Sequence, residues 1–235
     1  MSRDVRFLLT NDDGVAAEGL AALLTAAPQV ARPLPLVVAP EQCHSGGSHK
    51  VTTHSPLRLR ELEAGRMVTN GTPADCVRLA LSQVAQPVDW VLAGINHGGN
   101  LGADVYLSGT VAAVREGVLH GKPGAAFSYY HRKGVSELDW PRAAGWVAQV
   151  LATLLERPAE PGTFWNINLP NPENLSGPPP IVFCDVDPSP LLLDYRQTEE
   201  GLVYSGNYHQ RPRVAGKDVD RCFAGNITVS LVRLH

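Results

Sequence analysis

Five short apolar runs, separated by stretches of helical periodicity, leave few folds open to the first 170 residues. They are VRFLLT (residues 5–10), LVVA (36–39), DWVLAGI (89–95), GAAFSY (124–129) and FWNINL (164–169). Runs this short and this apolar suit strands covered on both faces, as in parallel sheets. Between them, Leu20, Leu23 and Leu24 recur at helical spacing ahead of Pro28. Pro73 opens a helix through Leu81 behind Thr72 as N-cap, and residues 110–120 and 140–155 are also helical. Parallel strands need long crossovers, and these helices supply them. The pattern predicts an α/β fold: a three-layer αβα, Rossmann-like, mostly parallel sheet.

Two segments depart from that rhythm. Alternation over residues 51–62 predicts an inserted antiparallel ribbon. Beyond Pro170, prolines at 172, 178–180, 188 and 190 interrupt the chain, and only residues 181–186 and 227–234 read as strands. The expected division is a core over residues 1–170 and a loop- and strand-rich C-terminal extension over 171–235. That extension would pack on the core or on a partner subunit.

Composition narrows the function. At 235 residues, 44% hydrophobic and 18% charged, the chain can bury a core and is not disordered. Its formal charge of -3 argues against duplex nucleic acid or an anionic membrane as partner, but not against a small anionic substrate. No run reaches the ~18 apolar residues of a membrane span, and the N-terminal run is too short for a signal peptide. Cys43, Cys76, Cys184 and Cys222 form no C-x-x-C pair, so a zinc ribbon is not suggested and a reducing compartment is. The expected location is the cytoplasm.

Ligands of open α/β sheets bind beyond the carboxyl ends of the strands, and three such ends carry unusual polar sequence. The first is Thr10-Asn11-Asp12-Asp13-Gly14. Adjacent carboxylates repel, and a hard divalent cation relieves that cost, although for this turn alone a helix cap with first-turn acid is the commoner reading. The second, residues 39–49, is rich in Gly, Ser and His; it lacks the phosphate-loop pattern and could be plain solvent loop. The third runs from Gly94 to Gly102 and on to Ser108-Gly109-Thr110 before a helix. There Asn offers neutral oxygen ligands, and the helix start offers free N–H groups to an anion. Together the three ends could place metal and phosphate in one crevice.

With these stretches on view, the chain resembles the SurE family of survival-protein nucleotidases. The matching stretches are LLTNDDG (8–14), VVAPEQCHSGGS (37–48), NGTPADCV (70–77), AGINHGGNLG (93–102) and SGTVAAVREG (108–117). NINLP (166–170) also matches, and beyond it the likeness is loose. The resemblance implies a metal-dependent phosphomonoesterase acting on nucleoside 5′-monophosphates, with 3′-monophosphates as a further class. It implies one divalent ion per subunit, Mg²⁺ or Mn²⁺, on Asp12, Asp13, Ser45 and Asn96. Asn100, Ser108, Gly109 and Thr110 would contact phosphate, and Asp12 or Asp13 would orient or deprotonate the attacking water. The family's exchanged C-terminal segments imply a homodimer or homotetramer. Of the loop histidines 44, 49, 54 and 97, His97 beside Asn96 is the one placed to protonate a leaving oxygen. Asp75 and Arg78 read as helix cap and surface pair. Two other readings stay open: a phosphatase of sugar phosphates or polyphosphate, and a non-catalytic nucleotide or metal sensor.

Overall fold

In a computed structural model, which describes residues 3–132, 137–171 and 177–234, the chain folds around one long sheet. Its elements run β1 (Arg3–Asp4), β2 (Phe7–Thr10), α1 (Glu18–Ala26), β3 (Ala31–Arg32), β4 (Leu36–Pro40), β5 (Leu59–Glu63), β6 (Arg66–Thr69) and α2 (Pro73–Gln83). There follow β7 (Trp90–His97), α3 (Asp104–Leu107), α4 (Gly109–Leu119), β8 (Gly124–Tyr129), α5 (Trp140–Leu154) and β9 (Thr163–Leu169). The chain ends with β10 (Ile181–Phe183), β11 (Tyr195–Thr198), β12 (Gly201–Tyr204), α6 (Asp218–Phe223) and β13 (Ile227–Arg233).

Nine strands form the sheet in the order β10-β13-β9-β8-β7-β2-β4-β6-β5. From β9 to β6 all neighbours are parallel, while β5 and β13 join antiparallel. Each parallel strand sends alternate side chains to opposite layers. In β2, Phe7 and Leu9 face the layer of α1 and α5, and Leu8 faces that of α2 and α4. This is the expected three-layer α/β architecture. The chain leaves β2 for β4 on one side and returns after α2 to β7 on the other, so β2 and β7 flank a topological switch point, where ligands bind in such sheets.

The antiparallel ribbon lies later than the alternation suggested, at residues 59–69, where β5 pairs with β6 across a turn at Gly65. In the residues before it, backbone donors go to side chains instead. Thr52 N–H donates to Asp75 at 3.0 Å and Arg58 N–H to Asn70 at 2.7 Å. The C-terminal region contributes β10 and β13 to the main sheet, Thr228 opposite Asn168, while β11 and β12 form a separate hairpin. Among the described residues, no helix is long and apolar enough to cross a membrane.

The start of α2 follows the expected cap. Pro73 occupies the first turn, Thr72 Oγ1 accepts from Asp75 N–H, and the Asp75 carboxylate accepts from Thr72 N–H at 2.9 Å. Burial pushes the Asp75 carboxyl up, but its hydrogen bonds from Thr52 and Thr72 outweigh that and hold it below the usual range. Losing that cap is expected to cost ~1–2 kcal/mol, roughly 2–8 °C in midpoint for a domain this size. Thermal melting of Asp75→Ala at pH 7 measures it; because the carboxyl is depressed, the deficit should shrink as the pH falls through the carboxylate range.

Candidate active site

The carboxyl end of β2 is a tight turn. Asn11 Nδ2 donates to Gly14 O at 2.8 Å, and this brings Asp12 and Asp13 out side by side. Asp12 is 4% exposed, whereas Asp13 is half-buried and accepts from His97 N–H at 3.1 Å. Across the crevice, α4 is capped by Ser108, whose hydroxyl accepts from Val111 N–H at 3.1 Å. Thr110 Oγ1 donates to Asp12 Oδ1. A Cβ at Gly109 would stand 3.0 Å from both Cβ and Oδ2 of Asp12. A side chain there would press on Asp12, so glycine lets the helix end come this close without displacing the carboxylate.

Burial pushes the Asp12 carboxyl from 3.8 up to about 6; its neighbour Asp13 adds to the rise, and the hydrogen bonds from Thr110 resist it. The charge at this carboxylate is costly to the isolated fold and wants a cation or a proton.

The loop after β4 is stapled over the site. His44 N–H donates to Asp12 O at 2.7 Å, Ser48 Oγ to Tyr106 O at 2.9 Å, and His49 Nε2 lies 2.8 Å from Glu116 Oε2 on α4. This holds Ser45 at the rim, exposed, its hydroxyl 3.0 Å from Cys43 Sγ. On the β7 side, Asn96 Nδ2 is occupied by Gly98 O at 2.8 Å, which leaves Oδ1 as an acceptor.

A cavity of about 280 Å³ results, and Asp12, Ser45, Asn96, Asn100 and Ser108 all line it. Asp13, Gly109 and Thr110 do not line it; Asp13 meets the His97 backbone, and the other two touch Asp12 from α4. Among the described residues, no three of His, Cys, Asp and Glu gather as a metal site, so a cation here would draw on two carboxylates and neutral oxygens. Such an all-oxygen set fits a hard divalent ion, and the raised Asp12 carboxyl is what an ion would relieve.

Several participants escaped the sequence reading. Asn100 N–H donates to Asn168 Oδ1 at 2.8 Å, Asn166 and Asn168 donate back to Asn100 O, and Asn100 Nδ2 donates to Ser128 at 2.7 Å. The signal was there: Asn166 and Asn168 lie two apart on an apolar strand and so share a face. Tyr208 also lines the cavity, its hydroxyl donating to Asp104 at 2.7 Å, while Arg211 holds the same carboxylate at 2.8 Å. Nothing in the loose sequence of that region marked them. Asp75 is a cap as expected, and Arg78 lies 3.7 Å from Glu116.

Fold and site together define an α/β protein with paired carboxylates at the switch point of a parallel sheet, facing a helix N-terminus. The family profile described as survival protein SurE matches residues 7–181, and this chain belongs to that family. It is 47% identical over 227 residues to a protein of Nostoc sp., covering 97% of this chain and 99% of the other. It is 41% identical over 202 residues to the 5'-nucleotidase SurE of Rhizorhabdus wittichii, covering 83% of this chain and 76% of that one. The crystal structure of the SurE protein from Aquifex aeolicus superposes with a TM-score of 0.82 at 29% identity, covering 98% of this chain and 94% of that one.

Because the fold raises the Asp12 carboxyl, folding binds a proton there that the unfolded chain releases near 3.8. Stability should therefore fall as pH rises from about 4 through 6 and stay low above it. In EDTA at pH 7.5, Asp12→Asn is expected to be more stable than the parent by on the order of 2–3 kcal/mol. Melting curves in EDTA check this, with the difference vanishing below pH 4.

Proposed function

We propose that this chain is a divalent-metal-dependent nucleotidase that releases phosphate from nucleoside 5′-monophosphates. The observation that carries the reading is the Asp12 carboxylate, buried against the start of α4 with Asp13 beside it and Asn96 and Ser45 around one cavity. The curated relatives named 5'-nucleotidase SurE support the substrate class.

Asp12, Asp13, Ser45 and Asn96 would hold one Mg²⁺ or Mn²⁺. When bound, such an ion supplies a Lewis acid for a phosphate oxygen and lowers the pKa of a bound water. The chain itself supplies position and charge. The first turn of α4, from Ser108 through Gly109 to Thr110, presents the positive end of the helix dipole to a phosphate. Asn100, locked from below by Asn166, Asn168 and Ser128, helps set the floor against which the phosphate is aligned. Asp13, more accessible than Asp12 and anchored by the His97 N–H, is placed to orient the attacking water. Thr110 keeps the Asp12 carboxylate turned to the crevice by its hydroxyl hydrogen bond.

Asp13→Asn should reduce phosphate release from AMP or GMP by at least about a hundredfold at saturating Mg²⁺ or Mn²⁺, and EDTA should abolish it in the parent. Retained hydrolysis in either case would sink the assignment. A panel including sugar phosphates and polyphosphate separates a nucleotidase from a broader phosphatase, and metal-dependent nucleotide binding without phosphate release would instead mark a sensor.

We further infer assembly into a homodimer or homotetramer through the C-terminal region. The β11–β12 hairpin leaves Leu202 68%, Tyr195 54% and Tyr204 48% exposed, an apolar face that a single chain does not cover. Light scattering of the full chain should give two or four times the monomer mass. The four thiols, all free, suit a reducing cytoplasm.

A further inference from the structure

One charged cluster lies behind the crevice, and the reaction does not use it. Glu116, on α4, is buried, and three nitrogen-bearing side chains converge on its carboxylate. His49 Nε2 lies 2.8 Å from Oε2, His120 Nε2 lies 3.0 Å from Oε1, and Arg78 Nε lies 3.7 Å from the same Oε1. A carboxylate taken out of water has to be paired. Arg78 on α2 and His120 at the end of α4 provide that pairing from regular structure. His49 is not needed for it. It comes from the loop after β4, the loop that carries Ser45, and ordering such a side chain costs conformational entropy.

That loop is tied at both ends and exposed at its tip. On one side His44 N–H donates to Asp12 O at 2.7 Å, and Gly47 N–H closes a turn on His44 O at 3.1 Å. On the other side Ser48 reaches α3, its N–H donating to Leu107 O at 3.1 Å and its hydroxyl to Tyr106 O at 2.9 Å. Thr72 Oγ1 then donates to Lys50 O at 2.6 Å. Ser45, Gly46 and Gly47 between these ties are exposed. Ser48 has a φ of 50°, a left-handed conformation that a residue with a side chain keeps only where its surroundings hold it. The Ser48 hydroxyl bond is neutral and open to water, which competes for it. The His49 contact is partly buried and made to a carboxylate, the stronger kind. Glu116 and the phosphate-facing turn at Ser108–Thr110 also belong to one helix. The loop that brings Ser45 is therefore mounted on the same rigid element as that turn.

We propose that Glu116 and His49 are positioning residues that set the cation affinity of the site. Their contact holds the Ser45 hydroxyl at the cavity before an ion arrives. Neither residue touches the ion or the substrate. An oxygen ligand on a loose loop has to be ordered as the ion binds, and one that is ordered beforehand does not. The role rests on the assignment of Ser45 as a metal ligand within the nucleotidase reading. It adds the reason an exposed loop hydroxyl can serve as one.

The test uses the full chain, first without metal. In EDTA, amide hydrogen exchange at Gly47 and Ser48 should be about tenfold faster in His49→Ala than in the parent. Mn²⁺ titration followed by electron paramagnetic resonance should show affinity weakened about tenfold in His49→Ala and in Glu116→Ala. Phosphate release from AMP should then need correspondingly more Mn²⁺ for half its maximal rate, with a smaller fall in kcat at saturation. Glu116→Gln keeps an acceptor for His49 and should stay within about threefold of the parent affinity. His120→Ala removes a half-exposed partner of the same carboxylate without touching the loop, and it should stay within about twofold. Unchanged Mn²⁺ affinity in His49→Ala overturns the positioning role and leaves the nucleotidase reading intact. An equal loss in His120→Ala and His49→Ala also overturns it, because the effect is then one of general stability. A parent whose Mn²⁺ affinity depends on His49 but which releases no phosphate from AMP keeps the role and overturns the nucleotidase reading. If Glu116→Ala does not fold, His49→Ala, on the loop, carries the decision.

Discussion

The structure is organised by the cost of burying one carboxylate. Asp12 sits almost wholly out of water at the end of the central strand, and its carboxyl is pushed up to about 6 as a result. Nothing about a βα turn demands an acid at that depth. The surroundings offset the cost without removing it. Thr110 donates a hydroxyl, Gly109 lets the helix start approach, and the dipole of α4 favours negative charge. Together these hold Asp12 in place while leaving it undercompensated, the condition in which a carboxylate gains most from a cation.

The same point gathers the loops. The residue-44 backbone hydrogen-bonds the Asp12 carbonyl, and the His97 backbone hydrogen-bonds the Asp13 carboxylate, so the loops after β4 and β7 are both referenced to the turn after β2. Glu116, buried on α4, draws His49 and with it the far end of the Ser45 loop. Beneath the floor, an asparagine pair on β9 fixes Asn100 from below. Each contact is modest, about 0.5–1.5 kcal/mol for a neutral hydrogen bond, but their convergence gives exposed loops a defined geometry.

Much of this was legible in the chain. The five apolar runs correspond to β2, β4, β7, β8 and β9, and the Thr72 cap and the Ser108-Gly109-Thr110 stretch mark the starts of α2 and α4. The polar stretches at strand ends did come together around one cavity. The ribbon was misplaced because Thr52 and Arg58 satisfy their backbone donors with side chains from distant residues, which no local alternation records. The C-terminal strands were legible as strands, but not their place: β13 pairs antiparallel with β9 and carries the sheet on past residue 170. Tyr208 and Arg211 were invisible for the same reason, since their partner Asp104 lies more than a hundred residues away.

What the sequence determined alone was local and periodic: where strands and helices lie, where they stop, and which polar residue types wait at the stops. Those follow from side-chain spacing and capping, which are decided within a few residues. Only the tertiary structure decided that Asp12 is buried while Asp13 is half-buried, that Gly109 lets a helix end approach the Asp12 carboxylate, and that Asn100 is held by two asparagines of a distant strand. These are outcomes of packing between segments far apart in the chain, and burial, which sets the energy of a charge, is a property of the folded whole.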